Sequence, residues 1–336
     1  MQFVQAITQT QLEDFCRLPG SYPITPAHPS MQQANAHWLV FNENGQDLAR
    51  CSLWWKTVPA YEHERLGLIG HYAAHEATAA HLLLEHACAQ LAKQDCTLAV
   101  GPLDGNTFRR YRLLTERSVA GHHHAPFFLE PDNPDAWPDH WRQAGFQPFA
   151  EYFSAIGELP EEDPRTASLA QRVADHAVSI RTVEMNCFEA ELQRIYQVVS
   201  KSFYNNFLYT PIEAAEFMAQ YSAVRNYIQP ALVLLAEQAG EPVGFVFALP
   251  DLAQAQRGEP LDTVIVKTVG VVPALGGIGL GGLLVARCQM AARTLGYRYA
   301  IHALMFEDNI SRKISEHYAQ VMRRYTLFAK SLSTRD

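Results

Sequence analysis

The sequence predicts an α/β protein whose mixed sheet is flanked by helices, with one order of elements used twice along the chain. Two observations carry this. A hairpin followed by an apolar strand, a helix, a further strand and a short helix occurs in each half, and a repeated plan of this kind governs the fold. The chain of 336 residues is also 48% hydrophobic, enough apolar material for two cores where one would outgrow a single domain.

In the first half, residues 37–41 read as a strand, Asn44-Gly45 as a tight turn and residues 48–55 as the returning strand. Asn-Gly supplies the positive φ angles that short hairpins require. A third strand is expected over 66–72. Leu82, Leu83, His86, Cys88, Leu91 and Ala92 recur at helical spacing, and a strand over 96–100 and a helix over 106–114 should follow. Residues 126–129 (Pro-Phe-Phe-Leu) suggest one more strand. Pro160 and Pro164 then bracket a polar stretch that leads into a connecting helix over 166–176. The expected organisation is a domain over 1–160, a linker over 161–177 and a second domain over 178–336.

The second half gives a hairpin over 231–249, a central β-branched strand over 263–272, a helix over 281–295, a strand over 297–305 and a helix over 311–318. Val269, Gly270, Val271, Val272 and Pro273 lead into Gly276, Gly277, Ile278, Gly279, Gly281 and Gly282 before the helix begins. Glycines there let backbone N–H groups approach a ligand, and the helix N-terminus favours an anion. No Lys-Ser or Lys-Thr follows, which excludes a Walker loop. Gly277, Gly279 and Gly282 satisfy a dinucleotide pattern. That pattern should follow its strand directly and open a series of βαβ units, for which too little chain remains.

The remaining phosphate motif is (Arg or Gln)-x-x-Gly-x-(Gly or Ala) after a strand ending Val-x-Pro, matched by Val271-x-Pro273 and Gly279-x-Gly281 with Gly276 in the Arg or Gln place. In this the chain resembles the GCN5-related N-acetyltransferase (GNAT) superfamily. Together with residues 101–106 and 137–146, nearly the whole chain resembles bacterial tandem proteins of that family. The resemblance implies two tandem GNAT-like domains, each a mostly antiparallel mixed sheet flanked by helices, and transfer of an acetyl or other acyl group from acetyl-CoA, or another acyl-CoA, to a small-molecule amine in a ternary complex. It implies coenzyme contacts at Val269, Val271, Val272, Gly276, Gly277, Ile278, Gly279, Gly281, Gly282, Asn309 and Ser311. By the same resemblance Phe203, Tyr204, Phe207 and Tyr209 would line the acceptor pocket. The family's acidic tyrosine corresponds by count to Ser315, which leaves Tyr318 one turn on as the candidate acid and His302 on the neighbouring strand as the candidate base. Residues 73–80 lack glycine, so the first copy is expected to have lost the coenzyme.

Composition bounds the alternatives. A formal net charge of −8 gives no basic footprint for nucleic acid, which also disfavours an aminoacyl transferase using charged tRNA. A catalytically silent acyl-CoA-binding or protein-interaction module stays open, favoured by Gly276 and Ser315. Six scattered cysteines show no metal or disulfide spacing, and His122-His123-His124 has no partner in zinc spacing. No metal is expected. A polar N-terminus without a leader pattern and no long apolar run suggest a cytoplasmic protein that uses no membrane, as a monomer or homodimer.

Overall fold

A computed structural model of the chain describes residues 1–20, 22–119, 124–309 and 311–332. His122 and His123 of the histidine triplet lie outside the described residues. The first half contains β1 (Gln2–Gln5), α1 (Gln9–Arg17), α2 (Pro29–Gln33), β2 (Ala36–Phe41), β3 (Asp47–Trp54), β4 (Leu66–Ala74), α3 (Ala77–Ala92), β5 (Leu98–Gly101), β6 (Leu113–Glu116), α4 (Trp137–Gln143) and β7 (Gln147–Glu158). Then come α5 (Thr166–Ala174), β8 (Val178–Thr182), α6 (Phe188–Ser202), α7 (Ala214–Ser222), β9 (Val233–Gln238), β10 (Glu241–Pro250), α8 (Leu252–Gln256), β11 (Thr263–Val271), α9 (Leu280–Thr294), β12 (Tyr299–Phe306), α10 (Ser311–Ser315) and β13 (Gln320–Ser331).

All these strands form one mixed sheet in the order β1-β2-β3-β4-β5-β13-β7-β12-β11-β10-β9-β8, with β6 on β13. Among the described residues, only β4–β5 and β11–β12 pair in parallel. The last strand of each half crosses to the other. β7 pairs with β12, and β13 pairs with β5 and β7. As a result Phe328 sits in the first-half core with Trp141 and Phe146, while Tyr325 and Leu327 join Leu66, Leu68 and Val100. Most of the second-half core gathers around α6, α9, β10 and β11.

Three sequence expectations are corrected. Residues 106–114 are a turn leading into β6, because the Asn106 carboxamide accepts the N–H of Phe108 and Arg112 takes a positive φ of 64°. Residues 126–129 are also a turn, closed by Glu130 N–H to Phe127 O, with Leu129 at φ 64°. The final helix ends at Ser315 and gives way to the twelve-residue β13, buried through most of its length between β5, β6 and β7 of the first half.

All five tryptophans lie in the first half, so their fluorescence reports that half. Phe328→Ala, which opens a cavity beside Trp141, should destabilise the tryptophan-reported unfolding transition by about 3–5 kcal/mol in urea titration. An unchanged midpoint would show that the first half folds without β13.

Candidate functional site

The site is built on a strand that parts from its neighbour. β11 pairs with β12 from Thr263↔Tyr299 to Val266↔His302 and no further. On its other side it stays paired with β10, through Phe247↔Thr268 and Phe245↔Gly270 to Gly244↔Val271. The register slips between Phe247 and Ala248, which leaves Lys267 as an extra, unpaired residue on β11. β12 carries its own irregularity between His302 and Met305, with Leu304 at φ 59°, and then continues against Phe153 and Tyr152 of β7. Such bulges bend and twist strands, and two at one level open a fork.

Backbone alternation fixes what the fork contains. Val272 N–H donates to Val243 O on β10 at 2.9 Å. The N–H groups of Val271 and Val269, alternating with it, therefore turn away from β10 and into the gap. Side chains alternate as well. A Cβ on Gly270 would lie 3.0 Å from Ser202 Oγ of α6, whereas Val271 packs near Gly281 of α9. The two helices thus lie on opposite faces. Ser202 Oγ and Ser315 Oγ are buried without a hydrogen-bond partner.

The strand leads directly into the glycine loop. A short turn at Pro273–Leu275 is followed by Gly277 at φ 87° and Gly279 at φ 90°, angles that disfavour any side chain. Gly279 caps α9 without a side-chain hydrogen bond, and no acidic residue occupies the first turn. The first helical bond, Leu283 N–H to Gly279 O at 3.0 Å, leaves the N–H groups of Leu280, Gly281 and Gly282 pointing out of the helix end. A Cβ on Gly276 would meet only Pro273 O at 3.1 Å, and one on Gly281 would make ordinary contact with Ile314 at 3.6 Å. Gly279 is crowded instead, because Leu169 and Arg172 of α5 lie 2.6 and 3.1 Å from where its Cβ would be. The connecting helix thereby brings the Arg172 guanidinium to a loop that has no cation of its own at Gly276.

Both catalytic candidates stand beside the fork, and both are engaged. His302 Nε2 is 2.8 Å from Gln289 Nε2, and burial lowers the imidazole pKa to about 4, so it is neutral and accepts the amide N–H. The Tyr318 hydroxyl donates to Asp163 Oδ2 at 2.5 Å, with Arg165 over its ring. Burial and then the Asp163 contact raise its pKa. The two rings lie 5.9 Å apart. Asn309 Oδ1 accepts Ser311 N–H at 3.3 Å, a capping contact at the start of α10. The aromatic segment divides, with Tyr204 and Tyr209 facing each other at 6.2 Å between ring centres and the two phenylalanines packing elsewhere. Phe207 stacks on Phe306 and packs against Tyr61 and Phe149, Tyr209 meets Phe108, and Phe203 packs on the second-half core. Tyr204 is exposed and borders an open, mainly apolar groove of about 530 Å³, shared with Lys201, Glu241, Pro242, Val272 and Pro273.

The same fork in the first half is closed. β4 and β5 pair only over Leu66↔Leu98 to Leu68↔Val100, and β4 bulges at His71, which has φ 46°. Here Leu103 N–H donates to Ile69 O, and Asp104 Oδ1 accepts His71 N–H at 2.6 Å. Those bonds fill the gap that the second half leaves open.

No family model matches the chain. A tandem GNAT protein from the clavulanic acid biosynthesis pathway superposes with a TM-score of 0.50, covering 100% of this chain and 99% of its own at 13% identity. This chain has the tandem GNAT fold. A probable N-acyltransferase of unknown function from Enterococcus faecalis aligns with a TM-score of 0.54 over 99% of this chain and 73% of its own, at 10% identity. Among curated proteins, the bacterial ceramide synthase of Caulobacter vibrioides is 25% identical over 240 residues. That match spans 69% of this chain and 61% of the relative, so about two fifths of the relative has no counterpart in it.

Within the GNAT fold, sequence reasoning reached Val269, Val271 and the glycine loop but missed Arg172, whose approach depends on how α5 packs, and the orphan hydroxyl of Ser202. The Asp163 cluster was also missed. Asp163 accepts from Arg165 Nε and Nη2 at 3.0 and 2.9 Å, and these bonds, assisted by Tyr318, hold its carboxyl near pKa 2 against the burial that opposes ionisation. A depressed carboxylate stabilises the fold above its unfolded pKa and loses that contribution as pH falls from about 4 through 2. Asp163→Asn should therefore cost about 2 kcal/mol at pH 7, with the difference from wild type vanishing near pH 2 in pH-dependent chemical denaturation.

Proposed function

We propose that the second half binds an acyl-CoA and passes its acyl group to an amine, as the chain's fold relatives suggest, while the first half completes the sheet and binds no coenzyme. The observation that carries this reading is the open fork. Val269 and Val271 present unpaired N–H groups along one limb, and that limb runs straight into an uncapped, glycine-rich helix end. The N–H groups of the loop and of Leu280, Gly281 and Gly282 suit a pyrophosphate, with Arg172 supplying charge. N–H groups in the fork suit the amides of a pantetheine arm and a thioester oxygen that gains negative charge during transfer. When bound, the thioester supplies an activated acyl carbon. Gly276, Gly277, Ile278 and Val272 shape the loop; α10 approaches it through Ile314, and Asn309 and Ser311 at the start of that helix would contact the coenzyme.

Acetyl-CoA and a small amine are the simplest pair of substrates. The likeness to a ceramide synthase supports a second reading, with a long acyl chain or a long-chain amino alcohol, and the open apolar groove beside Tyr204 favours it. None of the helices in the described residues is long and apolar enough to cross a membrane.

Gly281→Asp separates ligand binding from folding. A Cβ there makes only ordinary contacts and sits in the first turn of α9, where a carboxylate favours the helix, yet the added charge would oppose a pyrophosphate at this helix end. Calorimetric titration with acetyl-CoA and palmitoyl-CoA should show saturable binding to the wild-type chain and a loss of at least tenfold in the variant, whose melting temperature is unchanged or raised. A folded wild-type chain that binds neither thioester would refute the assignment.

A further inference from the structure

Lys267 is the extra residue of the β11 bulge and the first residue beyond the last β11–β12 pair, so it stands where the fork begins. Among the described residues its ammonium has no carboxylate and no hydrogen-bond partner, although part of the side chain remains accessible. Its charged neighbours are two arginines of the first half, Arg110 and Arg112. Arg112 is fixed there. Its Nη1 donates to Leu304 O on the other limb at 3.3 Å, and its guanidinium lies 4.1 and 4.3 Å from the ring centres of Tyr111 and Tyr152. Burial first, and the two cations second, lower the Lys267 pKa to about 8. A lysine desolvated beside other cations holds a neutral amine at moderate pH, the form that acts as a base.

The other titratable groups at this level are spoken for. His302, paired beside Val266, is bonded to Gln289, and Tyr318 to Asp163. We propose that Lys267 is the general base of the second half, taking the proton from the acceptor amine at the apex of the fork. This rests on the acyl-transfer reading above. The acceptor enters as an ammonium and gives one proton to Lys267 Nζ. Its nitrogen then forms the N–C bond while the C–S bond breaks and the sulfur leaves with that electron pair. The second amine proton goes to the thiolate, and Lys267 releases the first to solvent.

The test measures thiol release from acetyl-CoA and palmitoyl-CoA, with phenethylamine and sphinganine as probe amines, between pH 6 and 10. Wild-type kcat should rise about tenfold per pH unit and level off above about 8. Lys267→Met and Lys267→Arg should each lose about 100-fold or more in kcat, with calorimetric affinity for the thioester within twofold and the inflection near pH 8 gone. Because the methionine removes a costly buried charge, that variant should melt no lower than wild type at pH 7, which keeps lost activity distinct from lost fold. Independently, after reductive ¹³C-methylation the resonance missing from Lys267→Met should titrate near pH 8. The base assignment fails if Lys267→Met keeps kcat within threefold, if its inflection persists, if the Lys267 signal titrates above 10, or if a chain that binds thioester releases no thiol at any pH. Absence of thioester binding would instead remove the acyl-transfer reading beneath it.

Discussion

The constraint on which the second half depends is that β11 can satisfy only one neighbour along its upper length. It keeps β10 to the end and loses β12 after Val266, while β12, bulged between His302 and Met305, stays on β7 along its other edge. Buried backbone N–H groups without partners are costly. A fork of this kind is therefore tolerated where a ligand or water completes the bonding, and the glycine loop at its mouth offers the same kind of vacancy to an anion. Strand and helix end thus place free donors at Val269 and Val271 and again at Leu280, Gly281 and Gly282, with the glycine loop between them.

The comparison between halves gives this argument its control. Both central strands carry a bulge at the same level, at His71 and at Lys267, and both lose their parallel neighbour within a few residues. In the first half the chain after β5 folds back and supplies Leu103 N–H and the Asp104 carboxylate to the vacant backbone. Among the described residues the second half has no such plug. What the first half contributes instead is structural and electrostatic: β7, which holds the other edge of β12 on both sides of its bulge, and Arg112, bonded to Leu304 O on one limb. Exchange of the final strands makes these contributions inseparable from the sheet, because β13 buries Phe328 in one half and emerges from α10 of the other.

Much of this was legible in the chain. Asn44-Gly45 marked its hairpin, the β-branched run marked β11, and the clustered glycines marked the loop, because each is a local preference with a local cause. The GNAT-like plan followed from their order. Pairings between distant segments were not legible. Nothing local in residues 320–331 says that they will lie beside residues 98–101, and the tyrosine, leucine and phenylalanine there become core only once that pairing exists. Lys267 read as an ordinary lysine in a strand, since its bulge arises from the β10 register and its charged neighbours come from more than 150 positions upstream. Likewise Arg172 belonged to a connecting segment until α5 packed on Gly279. Residues 106–114 were expected as a helix because the plan of the second half places one there, and the positive φ at Arg112 that turns the chain into β6 is not announced by the sequence.

The central claim is that backbone donors of the fork and loop in the second half alone hold the coenzyme. Amide hydrogen exchange with and without saturating coenzyme A tests it most directly. The account predicts slowed exchange across residues 269–282 and no change at residues 66–80, where the first half has closed its fork. Protection at 66–80, or binding that leaves 269–282 exchanging as before, would contradict it.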